Sequence, residues 1–314
     1  MMSLTATVAS APEGWRAIDW HRRTWTVKVG RDKLSYVELG EGDPVLLIHG
    51  LGGNWRVWLE NLPALAHRNR RVIAVDLPGF GRSAPAGDGI GIHGYSHLLF
   101  GLLEELGLEQ TTVIGNSLGG WIAADLALRA PGRIHALVLV DAGGIVPTAG
   151  ERWKALAIMD GAARLARYAP RFRSAVASRR HLRSLALRYT FARPGELAAD
   201  LVYMALPPEP DPGFQAALST AKRSWSEAWC DMLTEIACPT LIVWGDRDAL
   251  LPLRHAREYA RRIVDARLQV ISDAGHLPML ERPSEFNRVV GEFLAGLAGA
   301  GSSQTYPAGT GGQK

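Results

Sequence analysis

Cysteine is nearly absent from this chain. Its two residues, Cys230 and Cys238 in 314, form no disulfide framework, and no second Cys or His pair stands at ligand spacing from them, so a structural metal cluster is excluded too. A pair of reduced, packed thiols is expected. No apolar run approaches the roughly 18 residues of a membrane span, which argues against stable membrane insertion. The opening MMSLTATVASAPEGW has neither a basic n-region nor an unbroken apolar stretch, so its VASA tetrapeptide is a poor cleavage signal. The chain reads as unexported and cytoplasmic. Internal repeats are missing as well.

What is present fits a soluble globular protein: 47% apolar and 21% charged residues, over a length that buries a sizeable core as one large domain or two ordinary ones. The net charge of +4 is unevenly placed. Between Pro147 and Ala228 thirteen basic residues face seven acidic ones, so the whole excess belongs to that segment. Solvated helix faces account for it, ahead of an anion-attracting surface, and no nucleic-acid partner is expected.

Short β-rich runs recur at 25–30, 34–39, 45–49, 71–76, 111–115, 136–141, 240–245 and 268–272, with helical patterns such as 95–108 and 118–130 between them. That alternation predicts a mostly parallel sheet covered by helices on both faces. The first two runs, separated by Arg31, Asp32 and Lys33, read as an antiparallel hairpin. From Gly150 to about Cys230 no strand pattern appears, only amphipathic helical stretches broken at Pro170, Pro194 and 207–212. An all-helical insertion between the sixth and seventh strands is expected, and a disordered tail over 299–314.

Behind the fifth run stands Gly115-Asn116-Ser117-Leu118-Gly119, a G-x-S-x-G pattern with a strand before it and a helical pattern after it. Such a sharp turn holds Ser117 out as a nucleophile, and side chains at the flanking second positions would collide across it. Serine needs a base, and the base needs a partner to fix its tautomer. Two of the histidines, His49 and His276, lie at strand ends where parallel-sheet sites form, and His276 follows the last strand on a Gly-marked loop. Asp246 and Asp248 follow the seventh strand, and Asp141 ends the sixth. For the oxyanion, the Leu118 amide opens the helix after Ser117, and the turn His49-Gly50-Leu51-Gly52-Gly53 offers a second donor at Leu51 beside Gly50.

These motifs, with DLPGFGRS at 76–83, WGDRDALLP at 244–252 and AGHLPMLERP at 274–283, together resemble the α/β-hydrolase family over about 24–146 and 229–297. The resemblance implies an eight-stranded sheet in a core of 1–146 and 229–298, with residues 147–228 as a helical cap over the site. It places the acid on Asp248, with Gly245 three residues before and Pro252 four after, and leaves Asp246 as a loop neighbour. It implies no metal or organic cofactor. Ser117 stands where dehalogenases and epoxide hydrolases carry aspartate, which argues against both activities. GNSLGG is similar to the elbow of carbon–carbon bond hydrolases of ring-fission products, yet those commonly place Trp after the histidine, where this chain has Leu277.

The expected activity is therefore hydrolysis of a small-molecule carboxylic ester, lactone or thioester through an acyl-enzyme: Ser117 as nucleophile, His276 as base, Asp248 orienting it, Leu51 and Leu118 holding the oxyanion. A carbon–carbon hydrolase, an acyltransferase and a non-catalytic ligand receptor are the alternatives. Apolar and aromatic cap residues, among them Trp153, Ile158, Phe172, Leu201, Tyr203 and Phe214, are expected to share the work of packing the cap and lining a mainly apolar pocket.

Overall fold

The computed structural model describes residues 14–67, 69–85, 90–166, 169–207 and 212–301. Eight strands form one sheet: β1 (Thr24–Val29), β2 (Asp32–Leu39), β3 (Asp43–Ile48), β4 (Arg70–Val75), β5 (Thr111–Asn116), β6 (Ile134–Val140), β7 (Thr240–Gly245) and β8 (Ala266–Ile271). Their order is β1-β2-β4-β3-β5-β6-β7-β8. The β1–β2 and β2–β4 pairings are antiparallel and all the others parallel, so the hairpin lies at one edge of a doubly wound sheet.

Alternation along the strands divides the core in two. Leu46, Ile48, Leu137, Leu139, Ile242 and Trp244 face one apolar cluster, while Val45, Leu47, Val138, Val140, Leu241 and Val243 face the other. A strand buried on both faces needs this near-continuous run of branched residues. Twelve α-helices accompany the sheet among the described residues: α1 (Leu62–Leu65), α2 (Ile92–Glu105), α3 (Leu118–Arg129), α4 (Ala149–Ala166), α5 (Ala169–Ser178), α6 (Arg180–Ala186), α7 (Ala199–Ala205), α8 (Phe214–Ser224), α9 (Glu227–Met232), α10 (Arg254–Arg262), α11 (Pro278–Glu281) and α12 (Pro283–Gly301). Helices α2 and α3 cover the first cluster and α12 the second. The last helix enters the stretch expected to be disordered and orders 299–301, because each residue added to an existing helix gains a hydrogen bond at low cost. The rest of that expectation, 302–314, lies outside the described residues.

Between β6 and β7 every regular element among the described residues is helical, from α4 to α9 with two 3-10 turns. Arg254 on the core side pairs with Glu151 at the start of this segment, and the Gly213 amide donates to the Gly79 carbonyl at 2.9 Å. No described helix is long and apolar enough to cross a membrane. Cys230 and Cys238 are free thiols, and burial pushes Cys238 up to about 11.

Candidate active site

The strand order reverses direction between β3 and β5, and a parallel sheet opens a crevice at the carboxyl ends of strands where that happens. Ile48 and Gly115 are partners there, so the turn at 49–53 and the turn at Ser117 are neighbours across the crevice. Moving outward, β6 leads to Asp141, β7 to Asp248 and β8 to His276. Successive strand ends thus bring residues far apart in sequence to one edge.

Ser117 joins β5 directly to α3 with φ 56° and ψ −118°, a strained conformation for a residue with a side chain. The turn closes only because its neighbours are bare. A Cβ on Gly115 would lie 2.3 Å from the Gly119 carbonyl oxygen, and one on Gly119 would lie 2.4 Å from that of Ile48. The Leu118 amide is the first of α3, where no intrahelical acceptor exists. On the other side of the crevice, the Gly53 amide closes the 50–53 turn on the Gly50 carbonyl at 3.1 Å.

His276 donates from Nδ1 to Asp248 Oδ2 at 2.7 Å. The side chain of Asp248 is fully buried, and its Oδ1 accepts the Leu250 and Leu251 amides at 2.8 and 3.0 Å. Asp246 is exposed and stands apart from this group. Asp141, by contrast, is completely buried and lies, with one ligand atom each of Asp248 and His276, in a group whose atoms are all within 4.8 Å. Burial first, and then the charge of Asp248, raise its carboxyl well above the usual range. Its Oδ1 accepts only the Gly245 amide, at 3.0 Å.

The second strand-end histidine has a different role. His49 is fully buried, its Nδ1 donates to the Gly50 carbonyl at 2.8 Å, and its Nε2 accepts the Leu77 amide at 2.9 Å. Burial lowers it to about 4, so it is a neutral brace for the turn. Asn116 was not singled out from the sequence. Its buried Nδ2 donates at 3.1 Å both to the Val140 carbonyl and to that of His276, tying the serine turn to the histidine loop. The readable signal was an amide side chain at the end of a buried strand, directly before the serine.

Above this edge lies a cavity of about 270 Å³ lined by Gly50, Leu51, Ser117, Leu118 and His276 from the core and by Ile158, Phe191, Leu201, Phe214 and Trp225 from the helical segment. No lysine or arginine lines it among the described residues. Of the apolar residues expected in the pocket, Ile158, Leu201 and Phe214 are there; Trp153, Phe172 and Tyr203 point to solvent, at 74%, 59% and 43% exposure.

Sheet topology, strained serine turn and the order of the strand ends define a protein of the α/β-hydrolase class. The chain belongs to the alpha/beta hydrolase fold family, whose model matches residues 43–283. It is 31% identical over 282 residues, 86% of this chain and 95% of the relative, to a 2-hydroxy-6-oxo-2,4-heptadienoate hydrolase of Pseudomonas putida. A solved meta-cleavage product hydrolase from Pseudomonas fluorescens superposes with a TM-score of 0.70 at 25% identity, covering 86% of this chain and 97% of that one. A thermophilic esterase from Thermogutta terrifontis shares the fold with a TM-score of 0.71 at 24% identity, covering 87% and 98%.

Proposed function

We propose that this protein is a serine hydrolase that cleaves neutral, mainly apolar carboxylic esters, and lactones or thioesters of similar shape, through an acyl-enzyme. The observation that carries the reading is the 2.7 Å contact of His276 Nδ1 with buried Asp248 at the floor of an apolar cavity that also contains Ser117. With Nδ1–H committed to Asp248, the free nitrogen Nε2 is the basic one. It takes the Ser117 proton as Oγ attacks the substrate carbonyl and returns it to the departing alkoxide. The amides of Leu51 and Leu118 hold the oxyanion, and Gly50 leaves room for the acyl group beside them. Water then repeats the sequence on the acyl-enzyme. Residues 147–228 serve as the cap that closes the cavity, over a core of 1–146 and 229–298.

The relatives favour a second reading, carbon–carbon bond hydrolysis. The substrate named for the Pseudomonas putida relative is a dienoate, and a carboxylate carried into an apolar cavity without a cation loses its hydration uncompensated. The lining described here supplies no such cation, which supports the neutral ester. The test is a graded series of p-nitrophenyl esters beside one ring-fission dienoate at two ionic strengths. Short to medium acyl esters are expected to turn over with little salt dependence. Preference for the dienoate by more than about tenfold in kcat/KM, roughly 1.4 kcal/mol, overturns the esterase reading; transfer to an added alcohol in place of water identifies an acyltransferase, and binding without turnover a receptor.

A further inference from the structure

The backbone around His276 is held from both sides. Its carbonyl accepts from Asn116 of the serine turn, and its own amide donates at 2.8 Å to the carbonyl of Thr190, which belongs to the helical segment between β6 and β7. One residue earlier the approach is closer still. A Cβ on Gly275 would lie 2.7 Å from the Ala192 nitrogen and 2.8 Å from the Thr190 oxygen, so glycine is what lets these two stretches of main chain touch.

A single buried carboxylate closes this contact. Glu281, on α11 five residues after the histidine, is 7% exposed. Its Oε2 accepts the Gly275 amide at 2.5 Å and its Oε1 the Arg193 amide at 2.9 Å. Two backbone donors, one from the histidine loop and one from the cap, therefore converge on one side chain. A carboxylate suits this place because it is acceptor-only, with about four lone-pair sites. Outside this knot Arg193 pairs with Asp273 at 2.7 Å. Inside it, Phe191 carries the same stretch of chain into the cavity wall.

We propose that Glu281 is a positioning residue for His276: it joins the cap stretch Thr190–Arg193 to the histidine loop as one hydrogen-bonded unit, so that the cap forms part of the mounting of the base. The proposal rests on the reading of His276 as base. It implies that this edge of the cap does not lift during turnover, and that whatever presses on Phe191 in the cavity is felt at His276. Removing the carboxylate leaves two amides without an acceptor and frees the loop to shift, and small displacements of a base are expensive in rate. Affinity for a small ester, which depends on the apolar wall, changes little.

The experiment compares wild type, Glu281→Ala, Glu281→Gln and His276→Ala in p-nitrophenyl ester kinetics, with thermal melts of each. Glu281→Ala is expected to lower kcat thirtyfold or more with KM within threefold. Glu281→Gln keeps the shape and one acceptor oxygen, and is expected to fold with a near-native melting temperature and to fall between the two, at least fivefold below wild type in kcat. Should the alanine variant fail to fold, the glutamine variant decides. Folded Glu281 variants with kcat within twofold of wild type, or a loss carried by KM alone, overturn the proposal while an inactive His276→Ala leaves the base assignment standing. An active His276→Ala overturns the base assignment and the proposal with it.

Discussion

Replacing Asp141 by asparagine separates the two carboxyls at the floor of the site. Both are buried, and their nearest oxygens belong to a group within 4.8 Å. Burial, and then the charge of Asp248, raise the Asp141 carboxyl well above its usual range. Hydrogen bonding points the same way: Asp248 accepts two amides and the His276 ring, Asp141 one amide, so Asp141 is the carboxyl that keeps its proton. Asparagine reproduces that protonated acid, offering an oxygen to the Gly245 amide and an N–H toward Asp248. Turnover of a p-nitrophenyl ester by Asp141→Asn should remain within about threefold of wild type, whereas Asp248→Asn, which inverts the tautomer of His276, should lose roughly four decades. Stability moves the other way. A carboxyl whose folded value is raised weakens the fold as pH climbs above the unfolded value, near 3.9, so Asp141→Asn should be more stable than wild type in urea at pH 8, with the gain shrinking toward pH 4. Equal loss of turnover in the two variants would refute this reasoning and move the acid to the end of β6.

Two further substitutions test the scaffold. Gly115→Ala forces a Cβ to within 2.3 Å of the Gly119 carbonyl oxygen, in backbone that cannot yield without moving Ser117; an equilibrium urea melt should show a loss of about 2–3 kcal/mol, together with much reduced turnover. His49, lowered by burial to about 4, refuses a proton that the unfolded chain takes up near 6.5, so its contribution is present above that value and is lost as pH falls from 6.5 to 4, about 3 kcal/mol in all. The difference in urea stability between wild type and His49→Gln, measured at pH 7 and pH 4.5, should contain that slope; its absence would contradict the neutral-brace role.

The eight strands were legible because a sheet buried on both faces demands branched apolar runs, and few other structures do. Their ends were less so: β2 starts at Asp32 and β8 at Ala266, where pairing with a neighbour extends the strand into polar sequence. The placement of Ser117, Asp248 and His276 at one edge of the sheet was legible because each follows such a run on a Gly-marked turn. Asp141 and Asp248 could not be ranked from residues alone, since both follow strands and what distinguishes them is the number of donors that folding brings to each. The contact between Thr190–Arg193 and the histidine loop left no trace, being made largely by main-chain groups some eighty residues apart. In the helical segment between β6 and β7, apolar residues and arginines interleave so closely that helical periodicity does not tell the cavity side from the solvent side, and Trp153, Phe172 and Tyr203 are exposed.

Labelling with a fluorophosphonate, followed by peptide mass spectrometry, tests the central claim most directly. The reagent phosphonylates a serine only where a base activates it and an oxyanion site receives it. One adduct per chain is expected, on Ser117, with ester turnover lost in proportion, and no adduct in Ser117→Ala. An adduct on another residue, or full ester turnover in Ser117→Ala, would contradict it.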